Sequence, residues 1–303
     1  MSPARRFLGQ LPAVAAVAVL LLVAVLVFTS QGIKLWGWLN IPGWWPLPYD
    51  QPLPLANGGH PTWVLPFDFG AHPFGQDLIG RDMFAMTMRG AQLSLMVMVT
   101  IGLIGTAVGV AVGAAAGYFR GWPEAVLMRF TDIVIIIPAI VLAAVVGRIA
   151  ATATFAPIQT TFGVVLLGVF LGLVVWTGLA RLVRGEVLSL RERDFVAAAR
   201  LAGASHWHIV TKHLVPNVLG TVIVNATLLM SSAILLEAGL SYLGFGVSAP
   251  DTSLGLLISA NQESFATRPW LFWWPGAFIL VICLCINFIG DGLRHAFDPR
   301  QEP

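Results

Sequence analysis

Six stretches of this 303-residue chain are nearly free of charge and long enough to cross a lipid bilayer. They fall at about 12–29, 91–117, 126–147, 162–180, 217–238 and 271–290, and a spanning helix needs roughly 20 apolar residues. Lipid offers the backbone no hydrogen-bond partners, so a helix, which satisfies its own amides, is the expected form. Only 11% of residues are charged and mean hydropathy is +0.82, whereas soluble domains carry about 25% charged residues. The chain is read as an all-α polytopic membrane protein with six transmembrane helices.

Orientation follows from where the cations sit. With the N-terminus in the cytoplasm, six spans return both termini there. The inside segments then hold 12 of the 17 Lys+Arg, against 5 outside, the direction of the positive-inside bias. Trp36, Trp38, Trp44 and Trp45 follow the first span, and Trp270, Trp273 and Trp274 open the last. In this topology both clusters fall at the outer interface, where tryptophan rings settle. Arg5-Arg6 before an apolar run is also how a signal peptide begins. The run from Val14 to Phe28 is long, however, and no A-x-A site closes it, so it is read as an uncleaved first span.

The chain divides accordingly. Residues 1–30 are an N-terminal tail and the first span, and 31–90 are an extracytoplasmic loop rich in Trp and Pro. Residues 91–292 form a core of five spans, with a polar cytoplasmic loop at 186–216, and 293–303 are a cytoplasmic tail. The Pro/Gly content of "GWLNIPGWWPLPYDQPLPLANGG" rules out a regular helix, and the stretch is expected to cap the membrane surface irregularly. "HPFGQDLIGRD" closes the loop and reads as a fixed turn leading into the second span, or, through Asp77 and Asp82, as a carboxylate cation site. Gly105, Gly109, Gly113 and Gly117 recur every four residues; such small-residue stripes let helices approach closely in lipid, for packing or for sliding. Pro138 is an expected kink, and Asp132 is expected to pair with Arg129 or with a neighbouring helix. Asn225, Glu237, Asn287 and Asp291 are the main polar groups of the last two spans, but no chain of buried carboxylates or histidines runs through the middle. The only cysteines, Cys283 and Cys285, point to different faces of one helix and read as packing.

Chemistry that would drive transport is missing. The chain has two lysines, in "GIKLW" and "VTKHL", and neither belongs to a G-x-x-x-x-G-K-[ST] phosphate loop. H-E-x-x-H and G-x-S-x-G are absent too. No catalytic, cofactor-binding or metal-binding residue is nominated; His206, His208 and His213 lack ligand spacing. An energy source must come from an ion gradient or from ATP hydrolysed on another polypeptide.

One polar segment answers that need. "LSLRERDFVAAARLAGASHWHIVTKHLVPN" (188–217) places Asp194 as an N-cap, a helix to about Ala202 stopped by Gly203, a second short helix capped by Ser205, and Pro216 at the first turn of the next span. Ala197, Ala198, Ala199 and Ala202 give the first helix so little bulk that it can enter a groove on another protein. A plain interfacial loop helix is the competing reading.

The segment resembles the cytoplasmic EAA loop of ATP-binding-cassette importer permeases, E-A-A-x-x-x-G with a downstream H-x-L-P. Ala198 and Ala199 match its alanines and Gly203 its glycine, while His213, Leu214, Pro216 and Asn217 match the tail; Ala197 stands where the glutamate would be. "HPFGQDLIGRD", "GYFRGWPEAVLMRFTDI", "ARLVRGEVLSLRERDF", "EAGLSYLGFGV" and "GDGLRHAFDPR" are similar to the C-type permease subunits of dipeptide and oligopeptide importers over roughly 70–300, with Gln76 in place of the usual threonine. The resemblance implies a type I importer fold with a cytoplasmic coupling helix. This chain would form half of a translocation pathway for peptides, paired with a homologous permease in the cell membrane. Two ATPase subunits, which would hold ATP and Mg, and an extracytoplasmic substrate-binding protein would complete the complex. Coupling would rest on Asp194, Ala198, Ala199, Arg200, Gly203, His213 and Pro216. Related subunits serve nickel, glutathione or other small solutes, and an ion-coupled secondary transporter is the competing class.

Overall fold

The structure, a computed structural model, describes residues 3–35, 39–62, 70–152, 161–247, 249 and 251–297. Trp36 and Trp38, used above, lie outside them, as do residues 298–300 of the last quoted motif. Helices α1 (Pro3–Leu8) and α2 (Leu11–Ser30) lead into a hairpin of β1 (Gly32–Leu35) and β2 (Leu39–Pro42). Then come α3 (Met83–Tyr118), α4 (Trp122–Ile136), α5 (Ala139–Thr152), α6 (Thr161–Val175), α7 (Thr177–Leu190), α8 (Asp194–Leu201), α9 (His206–His208), α10 (Val215–Tyr242), α11 (Leu254–Asn261) and α12 (Trp270–Phe297). Apart from the hairpin, the described residues fold as helices and loops, in keeping with the all-α class.

Four helices are long and apolar enough to cross a membrane alone: α2, α3, the continuous run His206–Tyr242, and α12. Counting the bent pairs α4–α5 and α6–α7 as one crossing each raises the number to six. Pro138 does more than kink the third stretch. It turns α4 from α5 by 85°, because a proline removes a helical donor and drives the residue before it out of the helical region. Ile137 accordingly adopts φ −81 and ψ 124.

α3 is the axis of the bundle, in contact with α2, α4, α6, α7, α10, α11 and α12. The glycine stripe is a packing device. A Cβ on Gly113 would lie 2.5 Å from the Ala180 carbonyl oxygen, and one on Gly117 would lie 2.8 Å from Val187 Cβ, so α7 presses on the α3 backbone. α6 answers in kind: Cβ atoms on Gly168 and Gly172 would meet Thr100 and Ile104 of α3 at 2.9 and 2.7 Å. Arg181 of α7 is the partner of Asp132, at 2.5 Å, and Arg184 of α7 binds Glu124.

At the end where α3 begins, the helix starts at Met83, earlier than hydropathy places it, because Asp82 caps it by accepting from the Ala85 N–H (2.8 Å). The Asp82 carboxylate also accepts from Trp45 Nε1 (2.9 Å) and contacts His72 Nδ1 (2.8 Å). Burial pushes its pKa above the usual carboxylate value, against the pull of those contacts. Asp77 accepts from the Ile79 and Arg81 amides and from Arg81 Nε, so both carboxylates of the suggested cation site serve the turn. Gln76 is fully buried and donates to the Pro54 and Gly80 carbonyls while accepting from the Ala56 N–H. Its length lets it clasp the Pro-rich loop to the turn. Buried Arg89 makes a two-pronged pair with Asp251, both contacts at 2.7 Å, and donates to Gln92, which donates to the Gly32 carbonyl. Trp44, Trp45, Trp270 and Trp274 gather at this same end; Trp274 stacks on Phe74 at 3.8 Å. Glu237, buried in α10, accepts from Ser94 and Ser241 at 2.7 Å each.

Candidate docking site

The polar segment lies at the opposite end of the bundle, where α3 finishes. Its seat is a cluster of buried apolar residues: Tyr118 from α3, Val187 from α7, and Ile209, Val210 and Leu214 from the chain that follows. α8 meets this seat through Val196, which is 0% exposed, with Ala199 packed alongside. Tyr118 ties the corner together. Its carbonyl oxygen accepts from Arg191 (2.5 Å), its hydroxyl lies 2.7 Å from His206 Nδ1, and the Arg200 guanidinium sits 5.5 Å from its ring centre.

Local chemistry fixes the ends of α8. The cap position falls on Arg193, with φ −77 and ψ 150 and no side-chain cap bond. Asp194 is the first helical residue instead, where its charge complements the helix N-terminus. At the other end the Gly203 N–H reaches the Arg200 carbonyl and the Ala204 N–H the Ala199 carbonyl, both at 3.0 Å. That pattern closes a helix through a left-handed residue, and Gly203 has φ +77. Ser205 then caps α9 by accepting from the His208 N–H (3.2 Å).

Pro216 falls in the first turn of α10, as expected, but that helix is not a separate one. α9, a π-helical turn (Ile209–Leu214) and α10 form one run, His206–Tyr242. A proline ring presses on the carbonyl four residues earlier, and the wider π turn directly ahead of Pro216 relieves that crowding.

The nominated residues divide by direction. Asp194, Ala198 and Gly203 are exposed together with Ala197 and Ala202. Ala199 faces the seat, Arg200 leans over Tyr118, His213 is half-buried with its ring 6.4 Å from Phe195 and 5.6 Å from His208, and Pro216 is exposed farther along the run. Asp194 makes no ion pair among the described residues. Two apolar side chains complete the outer surface: Leu201, 91% exposed, and Trp207, 76% exposed. Leu201 is legible in sequence, since three- and four-residue steps place it on the face of Ala198 and Ala197. Trp207 and Tyr118 carry no such signal, because their roles depend on how the two turns fold back on α3. The surface is thus a small-sided helix with two exposed apolar anchors on a rigid base, a form suited to insertion in a groove.

Residues 109–303 match the family described as binding-protein-dependent transport system inner membrane component. The chain is 38% identical over 306 residues to the oligopeptide transport system permease protein OppC of Mycobacterium bovis, and to that of Mycobacterium tuberculosis strain H37Rv, covering 98% of this chain and 94% of each relative. OppC of Haemophilus influenzae is 34% identical over 300 residues, covering 98% of this chain and 88% of that protein.

Proposed function

This chain belongs to the family of binding-protein-dependent transport system inner membrane components, and from that premise we propose that it receives the force of ATP hydrolysis at the α8–α9 corner. It is a multi-pass membrane permease subunit of an ATP-binding-cassette importer, not an enzyme, and works with separate ATPase and substrate-binding partners. It pairs with a homologous permease to enclose the translocation pathway, and both its ends lie in the cytoplasm. ATP and Mg belong to two ATPase subunits. The substrate is a peptide, as the names of its relatives suggest.

The observation that carries the docking reading is the outward face of α8: Ala197, Ala198 and Ala202 beside a 91% exposed leucine, anchored from behind by Val196. A soluble ATPase can clasp that ridge closely, and the buried seat passes its movement to α3, α7 and α10. Ala197, standing where related loops carry glutamate, leaves Asp194 to supply the acidic charge.

The test is gentle purification of the chain with everything bound to it, identified by mass spectrometry, for the wild type and Ala198→Asp. ATPase and second-permease subunits should accompany the wild type. Ala198→Asp places an unpaired charge in the interface and should shed the ATPases while keeping the second permease. Equal ATPase recovery with both chains would remove the docking role.

A further inference from the structure

We propose that a groove along one face of α10 is the conduit wall of this half-channel, with Asn225 contacting the main chain of the passing peptide; the inference rests on the channel reading above. Most exposed side chains on α2 and on α12 as far as Leu284 are apolar, as lipid contact requires: Val19, Leu22 and Val25 on α2, and Leu280 and Leu284 on α12; farther along α12, Asn287 and Asp291 are exposed singly. On α10 the polar residues instead form a row along two cavities. Thr221, Asn225 and Ser232, spaced with Leu228 at three- and four-residue steps, share one open side of the helix.

Two cavities lie along it. One, about 440 Å³, runs between α10, the α6–α7 bend and the start of α5, and is lined by Val175, Gly178, Asn225, Leu228 and Ser232 among others. The second, about 410 Å³, shares Asn225 and Leu228 and continues past Thr221 to Arg294 and Phe297. Together they make a path from mid-bundle to the end where α8 sits.

Hydrogen bonding separates Asn225 from its neighbours. Ser232 donates to the Leu228 carbonyl and Thr221 to Glu186, so each hydroxyl proton is used within the protein. Asn225 donates one N–H to the Thr221 carbonyl at 2.9 Å; its carbonyl oxygen and second N–H have no partner among the described residues. A carboxamide has one acceptor and two donors, and an open one facing hydrocarbon is costly. Facing a conduit, those groups match the N–H and C=O that every peptide carries. The surrounding wall is aliphatic and bears no charge until Arg294, so it holds a main chain without selecting side chains.

The experiment uses the complete complex in lipid nanodiscs and a polar, membrane-impermeant thiol reagent. N225C and S232C should be modified, and a transported peptide should slow the reaction. L22C on the lipid face should not react, and the wild type with Cys283 and Cys285 sets the background. In uptake, N225Q should retain transport while N225L loses it. An unreactive N225C and S232C in complexes that still import peptide would overturn the proposal, as would normal uptake by N225L. Wild-type uptake is scored in the same preparations, so failure of the importer reading appears as no transport, and failure of the conduit as transport past an unreactive groove.

Discussion

Leu201 provides the sharpest test of the docking surface because it has so little to do inside the chain. At 91% exposure, truncation to alanine opens no cavity, and surface changes of this kind move stability by no more than about 0.5 kcal/mol. Melting of the isolated permease should therefore stay unchanged. In the assembled importer the leucine is expected to be buried against the ATPase. Losing its three terminal carbons at about 0.8 kcal/mol each removes about 2 kcal/mol of association energy. At about 1.4 kcal/mol per factor of ten, ATPase affinity should fall about 30-fold. Trp207→Ala should add to the loss, while Leu22→Ala on α2 should leave affinity intact. Binding of purified ATPase subunits to the reconstituted permease pair measures this directly, with melting as the check on fold. An L201A/W207A chain that melts normally and binds the ATPases as tightly as wild type would refute the reasoning, since the one other exposed large apolar side chain among the described residues of α8 and α9, Phe195, is only 38% exposed.

Gly113→Ala forces a Cβ to 2.5 Å from the Ala180 carbonyl and should destabilise the α3–α7 contact by about 1–3 kcal/mol, seen as a lower melting temperature; Gly185→Ala, with nothing within 4 Å of its new Cβ, should melt as wild type. Arg89→Ala strands the buried Asp251 carboxylate and should cost about 3–5 kcal/mol, with part recovered in the R89A/D251A double variant by the same measurement. Asp82→Asn should preserve the cap of α3, whereas Asp82→Ala should lose about 1 kcal/mol from the cap alone. The sign of the pH effect follows from burial, which raises the folded pKa of Asp82. The folded chain then keeps this proton to higher pH than the unfolded chain, so the stabilisation is present in acid and fades as pH rises through the folded pKa. D82N should flatten that part of the melting-versus-pH curve, and an unchanged slope would contradict it.

Much of the architecture is legible because lipid is an undemanding solvent to read: long uncharged runs must be helices, and a glycine every fourth residue must lie against something. Where the sequence misleads, a second interaction outweighs hydropathy. α3 begins at Met83 because Asp82 caps it and because Arg89 and Gln92, polar residues that look unfit for a span, are absorbed by Asp251 and the Gly32 carbonyl. Pro138 reads as a kink, but nothing in the sequence gives 85°. The docking segment shows the same division. Its turns follow from Gly203 and Ser205, yet which alanines face outward depends on Val196 finding the pocket beneath Tyr118, a tertiary fact with no local signal.

The continuity of His206–Tyr242 gives the coupling argument its physical basis. A loop that merely touched a span would lose motion to its own flexibility, since a few freely rotating residues absorb a displacement. Here the docking corner and the groove-bearing helix share one hydrogen-bonded rod: Ser205 caps its first turn, the π turn carries it past Pro216, and Asn225 lies farther along it. α8 is fixed to that rod through Val196, Ile209 and Val210 and reaches α3 through Arg200 over the Tyr118 ring, while Tyr118 also contacts His206 of the rod. α3 in turn meets α7 through glycines that leave no slack. If the ATPases grip α8 as proposed, a pull on Leu201 would reach α10 through the packed corner and tilt it against α7, opening or narrowing the groove between them, because the helix that bears the groove begins in the corner against which α8 is seated.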